Sequence, residues 1–257
     1  MKLAARYVEK PWGRTGLPPI FESVAGRRIG EIWFPAGPDA PLLAKYLFTS
    51  ERLSVQVHPD DEQAKARRLP HGKAECWYVL EAEPESTIGL GLRDSFTRDE
   101  VRKAALDGSI VEAMDWRSVK AGDFFYVPPG TVHAIGAGIS LLEFQQNSDV
   151  TYRLYDYGRP RELHLDDAVA VSILGAYPEG FARHIEAGED AVLVDRPPFT
   201  LIHARSDRLK DRRRWVLPLE GRVRCNGEQA SAGECLLVDA GEELEIDDAR
   251  LLIGAAG

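Results

Sequence analysis

The chain has 257 residues, of which 44% are hydrophobic and 28% charged, a composition typical of a globular protein with a sizeable core. Its formal net charge of −9 argues against nucleic-acid binding, and no run of about 20 apolar residues predicts a membrane-spanning helix. Three cysteines without a C-x-x-C pair and the absence of a signal-peptide pattern indicate a reducing compartment, so a cytoplasmic location is expected.

The first third of the chain predicts short strands separated by turns. Residues 1–20 contain several prolines and predict irregular structure. Strands are expected at 28–34, 42–48, 53–58, 75–80 and 87–92, where β-branched and aromatic residues are frequent. Residues 60–69 are polar and favour a short helix, which the turn at 70–72 ends.

A second helix is predicted in the middle of the chain. Thr97 and Glu100 have the spacing of a capping box, which marks the start of a helix. This helix is expected to run to about Leu106 and to stop at Asp107 and Gly108.

Residues 122–135 predict a tight corner between two strands. Residues 124–127 favour a strand, and the Pro128-Pro129-Gly130 segment favours a turn. His133 then begins the next short strand, so its imidazole is placed on a rigid corner, which suits a metal ligand. A hairpin with a surface histidine is the alternative interpretation.

The C-terminal part predicts one helix followed by a second set of strands. The helix is expected over 163–174, with an aspartate as its N-cap. Residues 181–257 have short apolar segments with turns between them, which is typical of a β-sandwich or barrel. No histidine stands at the equivalent corner, so this second sandwich is expected to hold no metal.

The segment around His133 resembles a known motif. Its spacing G-x5-P-x-G-x2-H, from Gly122 through Pro128 and Gly130 to His133, is similar to the second motif of the cupin superfamily. Ala137 stands where that motif usually has an asparagine.

Two upstream blocks make the resemblance more specific. The sequences S-V-Q-V-H-P-D-D at 54–61 and G-K-A-E-C-W-Y-V-L at 72–80 resemble signatures of the cupin-type, metal-dependent mannose-6-phosphate isomerases. The resemblance implies a mainly all-β fold of two cupin-like β-sandwich (jelly-roll) domains with a few short helices. A catalytic, metal-binding domain is expected at 1–165, and a linker helix with a second, metal-free cupin-like domain at 166–257.

The resemblance also implies a metal site. Gln56 and His58 lie two residues apart on one predicted strand and therefore share a face. In the resembled family, one zinc ion per chain is bound at the positions of Gln56, His58, Glu75 and His133. Such a ligand set discriminates weakly among divalent metals, so Zn²⁺ is expected with other metals as alternatives. A core hydrogen bond for Gln56 and two unrelated histidines form the opposing interpretation.

Catalytic roles follow from the same resemblance. An aldose–ketose isomerase moves a proton between C1 and C2 through an enediol, and the developing negative charge needs a nearby cation. Arg153 is expected to stabilise the enediolate, and Glu143 is a candidate acid or base. Lys73 is expected to contact a sugar oxygen or to shuttle a proton. A metal-bound water is an alternative base.

Four residues are expected to bind the rest of the substrate. Arg159, Lys45 and Ser54 are candidate ligands of the phosphate, and Trp12 is expected to border the cleft. The alternatives are that Lys45 and Ser54 lie at the surface beside the sheet and that Trp12 only anchors the N-terminal arm.

The resulting hypothesis is an enzyme that interconverts mannose 6-phosphate and fructose 6-phosphate. The alternative is a non-catalytic, metal-containing cupin that binds a sugar or sugar phosphate in a regulatory role. An iron-dependent cupin dioxygenase is less favoured, because such sites usually have a His-x-His pair where this chain has Gln56 and His58. A small sugar phosphate is the expected partner, with the chain as a monomer or homodimer and no nucleic acid or membrane involved.

Overall fold

The computed structural model describes residues 1–21 and 26–257, and strands dominate both halves of the chain. The N-terminal strands are β1 (Arg6–Arg14), β2 (Ile29–Phe34), β3 (Leu42–Phe48), β4 (Val55–Val57), β5 (Glu75–Ala82), β6 (Thr87–Leu92), β7 (Met114–Ser118), β8 (Asp123–Val127), β9 (His133–Ile135), β10 (Ile139–Gln146), β11 (Tyr152–Tyr155) and β12 (Ala182–His184). The C-terminal strands are β13 (Ala191–Arg196), β14 (Phe199–Ala204), β15 (Arg214–Cys225), β16 (Glu228–Ser231), β17 (Leu236–Val238) and β18 (Glu245–Ala256).

In the described residues, four short α-helices connect these strands: α1 (Asp61–Ala66), α2 (Arg98–Asp107), α3 (Ile110–Ala113) and α4 (Leu165–Val171). A 3-10 turn, Glu179–Phe181, precedes β12. No helix in the described part of the chain is long and apolar enough to cross a membrane. The prediction of a mainly β fold is confirmed.

A seven-stranded antiparallel sheet, ordered β1-β2-β3-β10-β5-β8-β12, forms the central layer. Strand β5 shows why this sheet is buried on both faces. Cys76 and Tyr78 point into one hydrophobic core, whereas Trp77 and Val79 point into another. Successive side chains of a strand alternate between its faces, so a strand buried on both sides has a continuous apolar sequence.

Two further sheets pack on the central one. The five-stranded sheet β11-β4-β9-β6-β7 covers one face, and α2 and α4 cover its outer side. The sheet β13-β14-β18-β15-β16, with β17 paired to β15, covers the other face. Phe144 of β10 meets the rings of Phe199 and Trp215 there, with centroids 5.3 and 6.3 Å away. The chain is therefore layered, with the five- and seven-stranded sheets forming a sandwich.

Residues 6–14 correct one prediction from the sequence. This segment is strand β1, which pairs with β2, rather than irregular structure. Pro11 is compatible with it because β1 is an edge strand, where a missing N–H is tolerated, and the pairing register shifts between Glu9 and Arg14. The predicted irregular segment therefore contributes a wall of the sandwich.

The helix predictions had mixed outcomes. Thr97 and Glu100 form the expected capping box of α2, and Gly108 ends that helix in the left-handed conformation. The predicted aspartate N-cap of α4 is wrong, because His164 is the N-cap residue. Asp166 and Asp167 lie in the first turn instead, where carboxylates interact favourably with the helix N-terminus.

The C-terminal part is built of strands, as expected. Its six-stranded sheet encloses an apolar core of its own, and β12 is an edge of the central sheet through pairing with β8. The division of the chain into domains at residues 165 and 166 stays a prediction.

Candidate metal centre and substrate cavity

Three site residues form a lateral row across the five-stranded sheet. Arg153 of β11 pairs with Gln56 of β4, and Gln56 pairs with His133 of β9. Directly opposed residues in antiparallel strands point to the same face, with Cβ atoms about 5 Å apart. The row therefore places a guanidinium beside an amide and an imidazole, all facing the central sheet.

A second row faces it from the central sheet. Glu143 of β10 is paired with Lys45 of β3 on one side and with Trp77 of β5 on the other. Glu75 lies two residues before Trp77 and shares its face. The charged side chains of both sheets thus converge on the space between them.

His58, Glu75 and His133 form a compact cluster between the two sheets. One ligand atom from each lies within 4.8 Å of the others. Glu75 Oε2 is 3.4 Å from His58 Nε2, and Glu75 Oε1 is 3.3 Å from His133 Nε2. All three side chains are at most 2% exposed. In the described ranges, this is the only such group of histidine, cysteine or carboxylate side chains.

The orientation of His133 is set by its second nitrogen. Nδ1–H donates to the carbonyl of Thr131 at 2.9 Å, so the lone pair of Nε2 faces Glu75. Metal-binding histidines usually have such a second hydrogen bond, which fixes the tautomer and the ring plane. The Trp77 ring packs edge-on against the imidazole, with centroids 5.4 Å apart.

Both imidazoles are held in the neutral form that binds a metal. Burial, reinforced by the charge of Lys73, lowers the pKa of His58 to about 3, although Glu75 opposes the shift. Burial also lowers the pKa of His133, with Glu75 again opposing. The pKa of Glu75 lies well below its usual range, because Lys73 and His58 outweigh the opposite effect of burial. The donor set is therefore two neutral imidazoles and one carboxylate, which fits a divalent cation.

Gln56 is placed to complete this donor set. Its Nε2 lies 3.2 Å from His133 Nε2, and its Oε1 accepts a hydrogen bond from Ser54 Oγ at 3.0 Å. The oxygen and nitrogen of an amide exchange places by a rotation of about 180°. After that rotation Oε1 would face the His133 lone pair, and Nε2 would donate to Ser54, so the amide fits a bound cation equally well.

The corner that holds His133 is a tight turn. Gly130 has a φ of 83°, and its N–H donates to the carbonyl of His58 at 2.8 Å. A Cβ at this position would lie 3.0 Å from the carbonyl oxygen of Val171. The turn therefore connects both histidine segments and requires glycine for its backbone conformation.

Lys73 is positioned by a close backbone contact. A Cβ on Gly72 would lie 2.4 Å from the carbonyl carbon of Asp60, so only glycine permits this approach. The N–H of Lys73 donates to the carbonyl of Pro59 at 2.9 Å. The segment before β5 is thereby joined to the segment that follows His58.

The ammonium group of Lys73 lies among the metal-site and acid/base side chains. Its Nζ is 2.7 Å from Glu75, 3.8 Å from Glu143 and 3.2 Å from His58 Nε2. Burial would lower the pKa of Lys73, but the carboxylates of Glu75 and Glu143 outweigh it and raise the pKa above its ordinary value. Lys73 is therefore a stable cation in the metal-free site.

Glu143 differs from the other carboxylates of the site. Its Oε2 is 2.8 Å from Lys45 Nζ, and its Oε1 lies 3.4 Å from the indole nitrogen of Trp77. Burial raises the pKa of Glu143, and Lys45 only partly offsets that rise. A carboxyl group with a raised pKa is suited to exchange protons near neutral pH.

A polar cavity of about 140 Å³ opens beside this cluster. It brings together most of the residues predicted from the sequence: Trp12, Lys45, Ser54, Gln56, Lys73, Glu75, Glu143 and Arg153. His58 and His133 are buried behind Gln56 and Glu75. Trp12 is 3% exposed, and Lys45 and Ser54 are buried, so none of the three is an exposed surface residue.

Arg159 is the predicted substrate ligand that does not line this cavity. Its Nη2 donates to the carbonyl of Arg52 at 2.7 Å and lies 2.9 Å from Asp156. Its guanidinium lies over the ring of Tyr157, 5.5 Å from the centroid. Arg161 lines the cavity in its place. The sequence signal for Arg161 was the Gly-Arg-Pro-Arg segment, in which either arginine could face the site.

Sequence reasoning also missed four further residues of the cavity wall. Asp149 and Thr151 line it near β11, and Lys10 and Glu31 line it near β1 and β2. Lys10 Nζ is 3.3 Å from Glu31, whose carboxylate also accepts from Trp33 Nε1 at 2.6 Å. Lys10 lay in the segment predicted to be irregular, so no strand face was available to place it.

The sandwich and its buried His-Glu-His centre are those of a metal-binding cupin. The family model of the phosphomannose isomerase type I catalytic domain matches residues 29–96. Mannose-6-phosphate isomerase ManA of Bacillus subtilis is 37% identical over 225 residues, covering 72% of this chain and 71% of that protein. The chain belongs to the type I phosphomannose isomerase family, as the resemblance predicted.

Further relatives agree with this assignment. The mannose-6-phosphate isomerase of Streptococcus mutans is 42% identical over 171 residues, covering 63% of this chain and 53% of that protein. A crystal structure of the mannose 6-phosphate isomerase from B. subtilis superposes with a TM-score of 0.79 at 25% identity. That match covers 100% of this chain and 99% of the other. A putative mannosephosphate isomerase from Archaeoglobus fulgidus, with a TM-score of 0.78 and 17% identity, shares the fold.

Proposed function

We propose that this protein is a metal-dependent aldose–ketose isomerase that interconverts mannose 6-phosphate and fructose 6-phosphate. The observation that carries the proposal is the row Arg153–Gln56–His133, which places an arginine next to the metal ligands in a cavity that also contains Lys73 and Glu143. A protein that only binds sugar has no need for this combination of an arginine, a lysine and a carboxyl group beside a metal site. The names of its relatives favour the enzyme over the regulatory alternative in the same way.

Gln56, His58, Glu75 and His133 would hold the metal, and we propose zinc, one ion per chain. Two imidazoles with oxygen donors leave a position open for a ligand, as in catalytic zinc sites. A bound divalent cation would supply Lewis acidity at a sugar oxygen. The cluster itself leaves the identity of the metal open, since nitrogen and oxygen donors also bind manganese, cobalt and iron.

The roles of the protein side chains follow from their protonation. Glu143, with its raised pKa, is the proposed group that accepts the proton from one carbon of the sugar and returns it to the next. Lys73 stays protonated in the metal-free site and donates a hydrogen bond to a sugar oxygen. This assignment favours the first of the two roles expected for Lys73, the contact over the proton shuttle.

Arg153 is the proposed stabiliser of the enediolate. Its Nε is buried without a hydrogen-bond partner, and among the described residues no carboxylate lies within 4.0 Å of its guanidinium. A guanidinium without a carboxylate partner in the protein is available to an anion that develops on the substrate. Its pairing with Gln56, one of the proposed metal ligands, supports this role.

The charge of the cavity suits a sugar phosphate. Five cationic side chains and four carboxylates line the cavity, and a divalent cation would add further positive charge. The cationic residues are Lys10, Lys45, Lys73, Arg153 and Arg161. The protein as a whole carries a net charge of −9, so an anionic substrate needs this local excess of positive charge. A monomeric or homodimeric state stays a prediction.

A coupled assay of mannose 6-phosphate conversion tests the proposal. Purified protein should contain about one equivalent of metal per chain and turn over the substrate. Removing the metal with a chelator should reduce the rate at least about 100-fold, and adding back zinc should restore it. A metal-loaded protein that binds mannose 6-phosphate without converting it would favour the regulatory alternative.

A matched pair of histidine variants tests the metal ligands. His133→Ala should lose most of the bound metal, whereas His71→Ala, which changes an exposed histidine, should retain it. Metal content is measured by elemental analysis after gel filtration. If His133→Ala keeps its full metal content, the ligand assignment is wrong.

A further inference from the structure

The end of the cavity near β11 contains two arginines in different settings. Arg153 has no carboxylate partner within 4.0 Å in the part of the chain that the structure describes. Arg161 is bound to Asp156 in a two-point contact, with Nε 2.5 Å from Oδ2 and Nη2 2.6 Å from Oδ1. Both guanidinium groups line the cavity, and Arg161 contributes to lowering the pKa of Arg153, after burial. Both arginine side chains therefore contribute positive charge to the same part of the cavity.

Asp156 determines which face Arg161 presents. The carboxylate is 2% exposed and occupies one edge of the guanidinium. Across residues 1–21 and 26–257, the remaining nitrogen, Nη1, has no hydrogen-bond or ion-pair partner. A planar guanidinium fixed along one edge loses little entropy when its free edge binds an anion.

Asp156 also forms an ion pair with Arg159. Arg159 Nη2 lies 2.9 Å from Oδ1 of Asp156, and Nη1 lies 3.9 Å from Glu51. One buried carboxylate thus faces two guanidinium groups, and its single negative charge cannot neutralise both of them. Arg159 uses its nitrogens for contacts within the protein, and Arg161 keeps a free one.

We propose that Arg161, positioned by Asp156, binds the phosphate of the substrate, and that Arg159 does not. This proposal rests on the proposed function for the identity of the substrate. A phosphate dianion is bound best by the forked N–H groups of arginine, and Arg161 presents such an edge to the cavity. Asp156 acts through Arg161 and is a positioning residue. Arg153 is left for the reacting carbons.

Lys10, on strand β1, is the competing cation of the cavity. It is already paired with Glu31 at 3.3 Å, and Glu31 itself lines the cavity and would repel a dianion. Burial would raise the pKa of Glu31, but Lys45 and Lys10 outweigh it and lower the pKa, so this carboxylate is charged. Lys10→Met should therefore weaken phosphate binding less than Arg161→Met does, because it removes a cation that is already paired with a carboxylate.

Kinetics and phosphate binding on metal-loaded protein test the proposal. Arg161→Met should raise KM for mannose 6-phosphate about 10- to 100-fold and change kcat little, since hydrogen bonds to charged groups are lost. The affinity for inorganic phosphate, measured by calorimetry, should fall by a similar factor. Arg161→Lys should recover only part of both losses. Arg159→Met, which changes an arginine that does not line the cavity, should stay within about threefold of wild type in both measurements.

Asp156→Asn tests the positioning role. It should raise KM and weaken phosphate binding severalfold, with kcat nearly unchanged, and Asp156→Glu should restore part of the affinity. A fold defect would instead lower kcat and the melting temperature together. The proposal is overturned if Arg161→Met and Arg161→Lys bind inorganic phosphate as wild type does, or if Arg159→Met loses as much affinity as Arg161→Met. Arg161-dependent phosphate binding in a protein that does not isomerise mannose 6-phosphate would leave this proposal standing and reject the proposed function.

Discussion

At the scale of single residues, Arg153 is the side chain whose setting is most unusual. The other cations of the cavity are paired: Lys45 with Glu143, Lys73 with Glu75 and Arg161 with Asp156. Arg153 is half-buried and has no carboxylate within 4.0 Å among the described residues, so its guanidinium is available to an anion that forms beside it. This is the property expected of a group that stabilises a transition state.

Arg153→Ala should therefore lower kcat by about 10²- to 10³-fold, which is the usual loss for a donor that stabilises a developing anion. If the side chain bound only ground-state substrate, KM would rise and kcat would be kept. Arg153→Lys should recover little activity, because an ammonium group lacks the planar fork. Steady-state kinetics decide between the two, with circular dichroism as the control for folding. A near-normal kcat in Arg153→Ala would transfer the catalytic role to Lys73.

The sequence placed most of the individual site residues in the right region because their motifs are local. The family resemblance identified these residues, and the predicted strand periodicity put Gln56 and His58 on one face, although His58 directly follows the last residue of β4. Sequence reasoning chose Arg159 and did not consider Arg161, which lines the cavity, although both arginines lie in a loop beyond β11. The choice depends on Asp156, whose burial results from the folded loop and cannot be read from spacing.

At the scale of elements, the turn between β8 and β9 connects the two metal-binding segments. Gly130 provides the left-handed conformation and the hydrogen bond to the carbonyl of His58. Gly158 has a similar φ of 76°, but a Cβ added there would have no atom within 4 Å, so it shares the backbone requirement without the crowding. The two glycines form a matched pair.

Gly158→Ala should lower the free energy of unfolding by about 1–2 kcal/mol, the cost of a left-handed non-glycine residue. Gly130→Ala should lower it further, because its Cβ would also press on Val171 and Ile173. Only Gly130→Ala should weaken metal binding, since it displaces the His133 corner. Denaturant unfolding and metal titration measure the two effects. Equal losses of stability together with unchanged metal affinity in both variants would contradict this account.

Strand and helix positions were largely predictable where the local signal was strong. The Thr97–Glu100 capping box and the β-branched and aromatic residues of β5 are examples. Strand β1 was missed because Pro11 disfavours a strand, and only its place at a sheet edge makes that proline acceptable. Edge position is set by long-range pairing, so the local sequence did not contain the decisive information.

At the scale of the whole molecule, the C-terminal sheet supports the site from behind. Phe144 lies next to Glu143 in β10 and packs against Phe199 and Trp215 on the opposite face. Gly254 of β18 is close enough to this ring that a Cβ would lie 2.2 Å from it. The sequence predicted a metal-free set of strands here, but contacts across so many residues could not be derived from it. The position of Glu143 thus depends on both halves of the chain.

The buried histidines also make the stability of the metal-free protein depend on pH. In the unfolded chain the pKa of His58 is about 6.5, and burial with the charge of Lys73 lowers it to about 3 in the folded state. Between these values the unfolded chain binds a proton that the folded chain excludes, so stability is lost as the pH falls below about 6.5. His133 acts in the same direction. Glu143, whose pKa is raised in the folded state, has the opposite effect, because its contribution to stability increases as the pH falls.

For that reason the test compares variants and does not rely on the wild-type profile alone. Below pH ~6, the free energy of unfolding of metal-free wild-type protein should fall as the pH is lowered. Each buried histidine should contribute up to about 1.4 kcal/mol per pH unit to this fall. His58→Gln should have a shallower slope by about one proton, because it removes one of the two contributing imidazoles. His71→Gln, which replaces an exposed histidine, is the control for the loss of an imidazole. Denaturant titrations between about pH 5 and 7.5 measure the slopes. Identical slopes for wild type and His58→Gln would show that His58 is not held neutral by the fold.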